Sequence, residues 1–213
     1  MSTKPVKFYP ANEERINILS HALGLGLSVL GLIILTLKGI QSSQWQTIVA
    51  YAVYGISMVL LFAASTFYHL AKLPAVRARM RVLDHAAIYV LIAGTYTPFM
   101  LLTIPGPLGY GILIAAWSMA VIGITIKLFY TGHFELLSTL LYLFMGWAIV
   151  FAIKPLAAKL SAEGLQWLIL GGAAYTVGAI LYAIKKIPYN HAIFHLFVLL
   201  GSCSHFIAIY CFI

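Results

Sequence analysis

The chain has 213 residues, 62% of them hydrophobic and only 8% charged, with a mean hydropathy of +0.99. Soluble domains carry about 25% charged residues, so this composition excludes an ordinary soluble fold and points to a polytopic membrane protein. The formal net charge of +8 comes from 13 Lys and Arg against five acids, but the bases sit in short connections between apolar runs, which fits topology signals and headgroup contacts and speaks against a nucleic-acid partner.

In chain order, residues 1–17 are polar and are read as a cytoplasmic N-terminal segment, followed by one membrane domain over 18–213. The first apolar run lacks a small-residue cleavage site and is read as a retained helix. Seven runs approach the roughly 20 residues that cross a bilayer core: about 18–38, 46–70, 83–103, 109–129, 136–156, 165–185 and 191–213. The expected fold is therefore all-α, a bundle of seven transmembrane helices. Turn chemistry separates the runs at Gln41-Ser42-Ser43-Gln44, Pro105-Gly106-Pro107 and Ile187-Pro188-Tyr189-Asn190, where Asn190 is placed to cap the last helix. Pro98 falls inside the third run and predicts a kink. Gly24, Gly26, Gly31, Gly171, Gly172 and Gly178 predict close helix crossings. Cys203 and Cys211 lie eight residues apart on one predicted helix, about 12 Å by helical rise, too far to pair with each other.

An odd number of spans puts the termini on opposite sides. Lys4, Lys7, Arg15, Lys72, Arg77, Arg79, Arg81, Lys127, Lys185 and Lys186 fall on the side of the N-terminus, whereas only Lys38, Lys154 and Lys159 fall on the other. The positive-inside rule then predicts a cytoplasmic N-terminus and an external C-terminus in a plasma (bacterial inner) membrane.

On that map several polar residues share one depth. The second span ends at His69, with Ser65 one turn deeper on the same face. The third opens at Asp84, the only aspartate in the chain, and the seventh opens at His191 with His195 one turn on. Ionisable groups are costly in lipid, and three neutral imidazoles with an open fourth position form the usual ligand set of catalytic zinc, which lowers the pKa of a bound water. Asp84 could hold or deprotonate such a water, and Ser65 could hydrogen-bond it or a substrate oxygen. His-x-x-x-His alone is unspecific, because interhelical hydrogen bonding explains many such pairs. His21 and Asn17 stand near the same depth, either as partners of the ligands or as helix-entry packing. His205 lies ten residues beyond His195, about 15 Å deeper, and reads as a hydrogen-bonded core residue. His85 points about 100° away from Asp84, so the two are not both expected at the metal. His133 and Glu135 read as solvated loop residues.

Three ordered blocks carry a family resemblance over essentially the whole chain: Glu14-x-x-Asn17-x-x-Ser20-His21; Ser65-x-x-x-His69 with Asp84-His85-Ala86-Ala87-Ile88-Tyr89 and Gly94-Thr95-Tyr96-Thr97-Pro98-Phe99; and His191-Ala192-Ile193-Phe194-His195 with Ser204-His205-Phe206. The chain resembles the bacterial hemolysin III family of the progestin and adipoQ receptor superfamily. The resemblance implies zinc on His69, His191 and His195, with Asp84 and Ser65 near the bound water. Animal relatives include hormone receptors with ceramidase activity, the superfamily includes lipid amide hydrolases, and bacterial members are tied to lysis and to membrane lipid and energetic homeostasis. Two functions stay open at this point. One is a zinc-dependent hydrolase or sensor of membrane acyl lipids; the other is a non-enzymatic regulator of membrane fluidity, or a pore-forming hemolysin with structural zinc. A pore needs a polar stripe along several helices, whereas polarity here gathers at one depth.

Overall fold

A computed structural model describes residues 6–131 and 135–213, apart from the side chain of Glu135. Lys4, His133 and the Glu135 side chain, assigned above to the N-terminal side and a solvated loop, lie outside the described residues. Eight α-helices make up the described fold: α1 (Ala11–Gln41), α2 (Trp45–Leu70), α3 (Pro74–Pro98), α4 (Pro107–Tyr130), α5 (Glu135–Trp147), α6 (Ile153–Lys159), α7 (Ala162–Ala183) and α8 (Asn190–Phe212). α5 and α6 belong to one span, so seven segments among the described residues are long and apolar enough to cross a membrane.

The helices begin earlier than the apolar runs because polar first turns are compatible with helix and invisible to hydropathy. Pro10 precedes α1, and Glu13 and Glu14 sit in its first turn, where carboxylates favour the positive end of the helix dipole. The division placed after residue 17 thus falls inside α1. Pro74 and Pro107 occupy first helical positions, where a missing N–H costs nothing. Since α3 starts at Pro74, Asp84 lies about three turns into a helix, not at its opening.

The assignment of Asn190 as the cap of its own helix is overturned. Tyr189 holds the cap position in a left-handed conformation, φ 56°, without a side-chain cap bond. The Asn190 amide instead donates to the carbonyls of Tyr182 at 2.8 Å and Ile184 at 3.5 Å, satisfying acceptors at the end of α7. At Pro98 the α3 helix passes into a π-helical turn, Phe99–Thr103, which gives the expected break its form. The fifth span is interrupted by a 3₁₀ segment, Ala148–Ala152, just before Pro155, whose ring cannot donate to that turn and crowds it.

In space α1 packs on α2, α2 on α3 and α3 on α4, while α8 packs on both α7 and α1 and α5 touches α3 and α7. α1 shows how the membrane sorts its faces. Leu19, Leu23, Leu27, Leu30 and Leu37 point outward, whereas Asn17, His21, Gly24, Ser28 and Gly31 point inward. Lipid is as apolar as leucine, so close approach and polar contact, not hydrophobicity, select the inner face. The close crossings occur at Gly24 against Phe62, Gly31 against Phe206 and Gly178 against Phe197, and Gly171 against His205; Gly26 and Gly172 have no neighbour there. Arg77, Arg81 and Lys127, counted above as topology signals, have buried side chains.

A Cβ at position 178 would stand 2.6 Å from the Cβ of Phe197, a rigid point close to the α8 backbone. Gly178→Ala is expected to destabilise the detergent-solubilised protein by about 1–3 kcal/mol through overpacking. Gly26→Ala should be neutral or stabilising by up to about 1 kcal/mol from helix propensity. Thermal unfolding followed by tryptophan fluorescence checks the pair; equal melting points would contradict the crossing.

Candidate metal centre

Three imidazoles meet where α2 and α8 cross beside α1. His69 comes from the last turn of α2, and His191 and His195 come from successive turns of α8. All three are buried. His191 Nε2 lies 3.2 Å from His69 Nε2 and 3.1 Å from His195 Nε2. One ligand nitrogen from each residue falls within 4.8 Å of the others, so the group could hold a metal ion.

The protons decide what this cluster is for. His69 Nδ1 is 3.0 Å from Glu14 Oε2, a carboxylate that can only accept, so Nδ1 donates. His195 Nδ1 is 3.4 Å from the backbone carbonyl of Asn17 and likewise donates. In their neutral forms both residues therefore turn an Nε2 lone pair toward His191 Nε2. His191 has at most one proton there and cannot satisfy both. A cation between the three nitrogens removes the conflict. Zinc–nitrogen bonds of about 2.0–2.1 Å in a tetrahedron set neighbouring nitrogens about 3.3 Å apart; the two short separations are close to that value. The donor set fits a metal favoured by imidazole.

The groups behind the histidines hold this arrangement. Glu14 is shared: Oε2 accepts from His69, and Oε1 forms an ion pair at 2.5 Å with Arg77 Nη2. Arg77 Nη1 donates at 3.3 Å to the carbonyls of Tyr68, His69 and Ala71, acceptors at the C-terminal end of α2. Its Nε donates to the Lys7 carbonyl at 2.9 Å, and its guanidinium stacks against Phe8 and Tyr68. Residues 7–9 consequently form a strap across the cluster. The Tyr9 ring stacks on His191 with centroids 4.6 Å apart and an 11° interplanar angle. Burial, with repulsion from the neighbouring phenols Tyr182 and Tyr68, pushes the Tyr9 hydroxyl's pKa up, so the strap covers the site with a neutral group.

A cavity of about 220 Å³ adjoins the cluster. His191, His195, His21, Ser65 and Asp84 line one end of it, and Leu91, Phe99, Trp147 and Leu168 are among its apolar walls. Asp84 is only 8% exposed. The Ser65 hydroxyl and both His21 nitrogens are buried without a well-formed hydrogen bond among the described residues, although Ser65 stands beside the Asp84 carboxylate. Leaving such groups buried without partners is costly, which marks this end of the cavity as a place for a polar ligand.

His21 stacks on His195 at 3.6 Å between centroids, outside the three-histidine group. Asn17 contributes its carbonyl to His195, while its buried side-chain amide has no hydrogen-bond partner among the described residues. His85 also lines the cavity, and its carbonyl accepts from Tyr142 at 3.0 Å. His205 donates from Nε2 to the Leu168 carbonyl at 3.1 Å. Glu14, Arg77 and Tyr9 were not assigned site roles from sequence. For Glu14 a signal existed: with α1 read from Ala11, the spacing Glu14, Asn17, His21 places all three on one helix face. Nothing in the sequence places Tyr9 over His191.

The haemolysin-III-related family profile matches residues 9–206. Over 197 residues the chain is 46% identical to "Hemolysin-3" of Bacillus cereus, covering 92% of this chain and 90% of that one. It is 43% identical over 205 residues to a "Hemolysin-3 homolog" of Bacillus subtilis (strain 168), covering 95% and 96%. The human "Monocyte to macrophage differentiation factor" is 28% identical over 204 residues, 93% of this chain and 83% of its own, which supports the relation to the progestin and adipoQ receptor superfamily. Seven membrane-type helices, a buried three-histidine centre and these likenesses together place the chain in the haemolysin-III-related family of multi-pass membrane proteins.

Proposed function

We propose that the protein is a zinc-dependent hydrolase, or a sensor, of membrane acyl lipids, with zinc on His69, His191 and His195. The observation that carries this reading is a three-nitrogen cluster of which two histidines, His191 and His195, line a largely apolar cavity. A zinc ion held there supplies a Lewis acid and brings the pKa of a bound water near neutrality. Asp84 takes the proton of the attacking water and returns it to the leaving group, the usual work of a buried carboxylate beside such a centre. Ser65 and His21 hydrogen-bond the polar part of the lipid, and the apolar walls hold an acyl chain. Glu14 and the Asn17 carbonyl hold His69 and His195 in the tautomers that present Nε2. On the positive-inside argument the N-terminus is cytoplasmic, which puts the centre in the cytoplasmic leaflet.

The name of the Bacillus relatives carries a second reading, membrane lysis with zinc in a structural role. The predominantly apolar lining of the cavity favours a lipid site over an aqueous pore. Three protein ligands, not four, among the described residues also favour a centre with an open position.

Protein purified in the presence of zinc is expected to hold about one zinc per chain, from one site with three imidazoles. His191→Ala should lose most of it, as read by atomic absorption; full retention in that variant rules the centre out. Glu14→Gln keeps the shape but removes the carboxylate behind His69, and should weaken zinc affinity about 10–100-fold in a chelator competition. Asp84→Asn should keep the metal yet lower release of fatty acid from lipid amides or esters about 100-fold or more. If wild-type protein with full metal releases no fatty acid from a broad lipid mixture, the sensor or structural reading replaces the hydrolase.

A further inference from the structure

One face of α3 forms a wall of the cavity. His85, Ile88, Ile92, Tyr96 and Phe99 follow one another at intervals of three and four residues, so they share that face, and all of them line the cavity. Leu83, about 200° round the helix from His85, is half-exposed on the outside of the bundle. Along this stripe the polar groups are satisfied within the protein except at its first residue. The Tyr96 hydroxyl donates to the carbonyls of Met145 and Gly146 at 2.9 and 3.0 Å, and the neighbouring Thr95 hydroxyl donates to the Leu91 carbonyl at 2.7 Å. His85 engages α5 only through its backbone, whose carbonyl accepts from Tyr142 at 3.0 Å. Its imidazole is partly buried and forms no hydrogen bond among the described residues. His205, on the same cavity, shows the contrast: its Nε2 donates to the Leu168 carbonyl at 3.1 Å.

An imidazole left without partners in an apolar cavity is costly, and charging it there costs more. The neutral ring offers one donor and one acceptor. Its complement is a group that also does both, a hydroxyl, and not an anion or a cation. Position says which part of a ligand meets it. His85 follows Asp84 in sequence but lies about 100° round α3 from it. An acyl lipid whose carbonyl stands beside Asp84 brings the first atoms of its headgroup to His85, while its chain extends past Ile92 and Phe99. We propose that His85 is the headgroup-recognising residue of the cavity and selects uncharged single-chain lipids that carry a hydroxyl close to the acyl linkage. The subsite rests on the reading of the cavity as an acyl-lipid site, but it needs neither turnover nor the metal.

Two ether probes test it on the full chain in a nonionic detergent by titration calorimetry. 1-O-hexadecylglycerol and hexadecyl propyl ether share the chain and the linkage, differ in the headgroup hydroxyls, and offer no ester or amide to hydrolyse. The wild type should bind the glycerol ether about tenfold more tightly, the range of one or two buried hydrogen bonds. His85→Leu, which removes donor and acceptor at similar size, should abolish the preference while the propyl ether stays bound. His85→Gln restores a donor and an acceptor and should keep a preference of about threefold or more, which a folding defect would not allow. The preference should persist in His191→Ala, which separates His85 from hydroxyl binding at the metal. An undiminished preference in His85→Leu overturns the subsite, as does its loss in His191→Ala alone. Loss of both probes in both His85 variants assigns the residue to packing and overturns it too. Equal binding of the two probes to the wild type overturns the subsite and leaves the acyl cavity standing, whereas binding of neither removes both.

Discussion

Two imidazole lone pairs face a third nitrogen that has one proton at most, and the packing around them keeps that conflict from relaxing. His69 is held by Glu14, His195 by the Asn17 carbonyl, and His191 by the Tyr9 ring. Those partners come from α1 and the strap before it, so the entry of the chain into the bundle and the geometry of the centre are one problem. Arg77 joins them, since the same guanidinium contacts Glu14, the Lys7 carbonyl and the C-terminal carbonyls of α2. In lipid no water compensates a misplaced donor, which makes such a network a strong constraint on helix placement.

Seven spans and the meeting of His69, His191 and His195 were legible because each rests on a simple rule: run length for the spans, i and i+4 on one face plus common depth for the histidines. The true starts of α1 and α3 were not. Glu13, Glu14 and Arg15 at one, and Arg77, Arg79 and Arg81 at the other, interrupt hydropathy without interrupting helix. Hiding the first turns of α1 hid the face that carries Glu14. Asn190 was misread for a different reason: its amide could serve either helix flanking the turn, and tertiary geometry gave it to the carbonyls of α7. The strap needed three-dimensional information altogether, because an aromatic ring stacked on an imidazole leaves no periodic trace.

Arg77, Arg81 and Lys127 separate two things that charge counting merges. Bases next to a span bias its orientation during insertion, and that bias does not depend on where the side chain ends in the folded bundle. After folding, Arg77 ties three segments together and Lys127 lines a cavity. A residue can thus serve topology first and structure afterwards, and its position in a connection says only the former.

Tyr9 of the strap stacks on His191 and is not among the residues that line the cavity, whose walls are largely apolar. For an acyl lipid reaching the centre through that cavity, the relevant reservoir is the bilayer rather than the cytoplasm. Occupancy would then follow the mole fraction of the lipid in its leaflet, independent of total lipid in suspension, so dilution with inert lipid would act as a competitive brake and added aqueous volume would not.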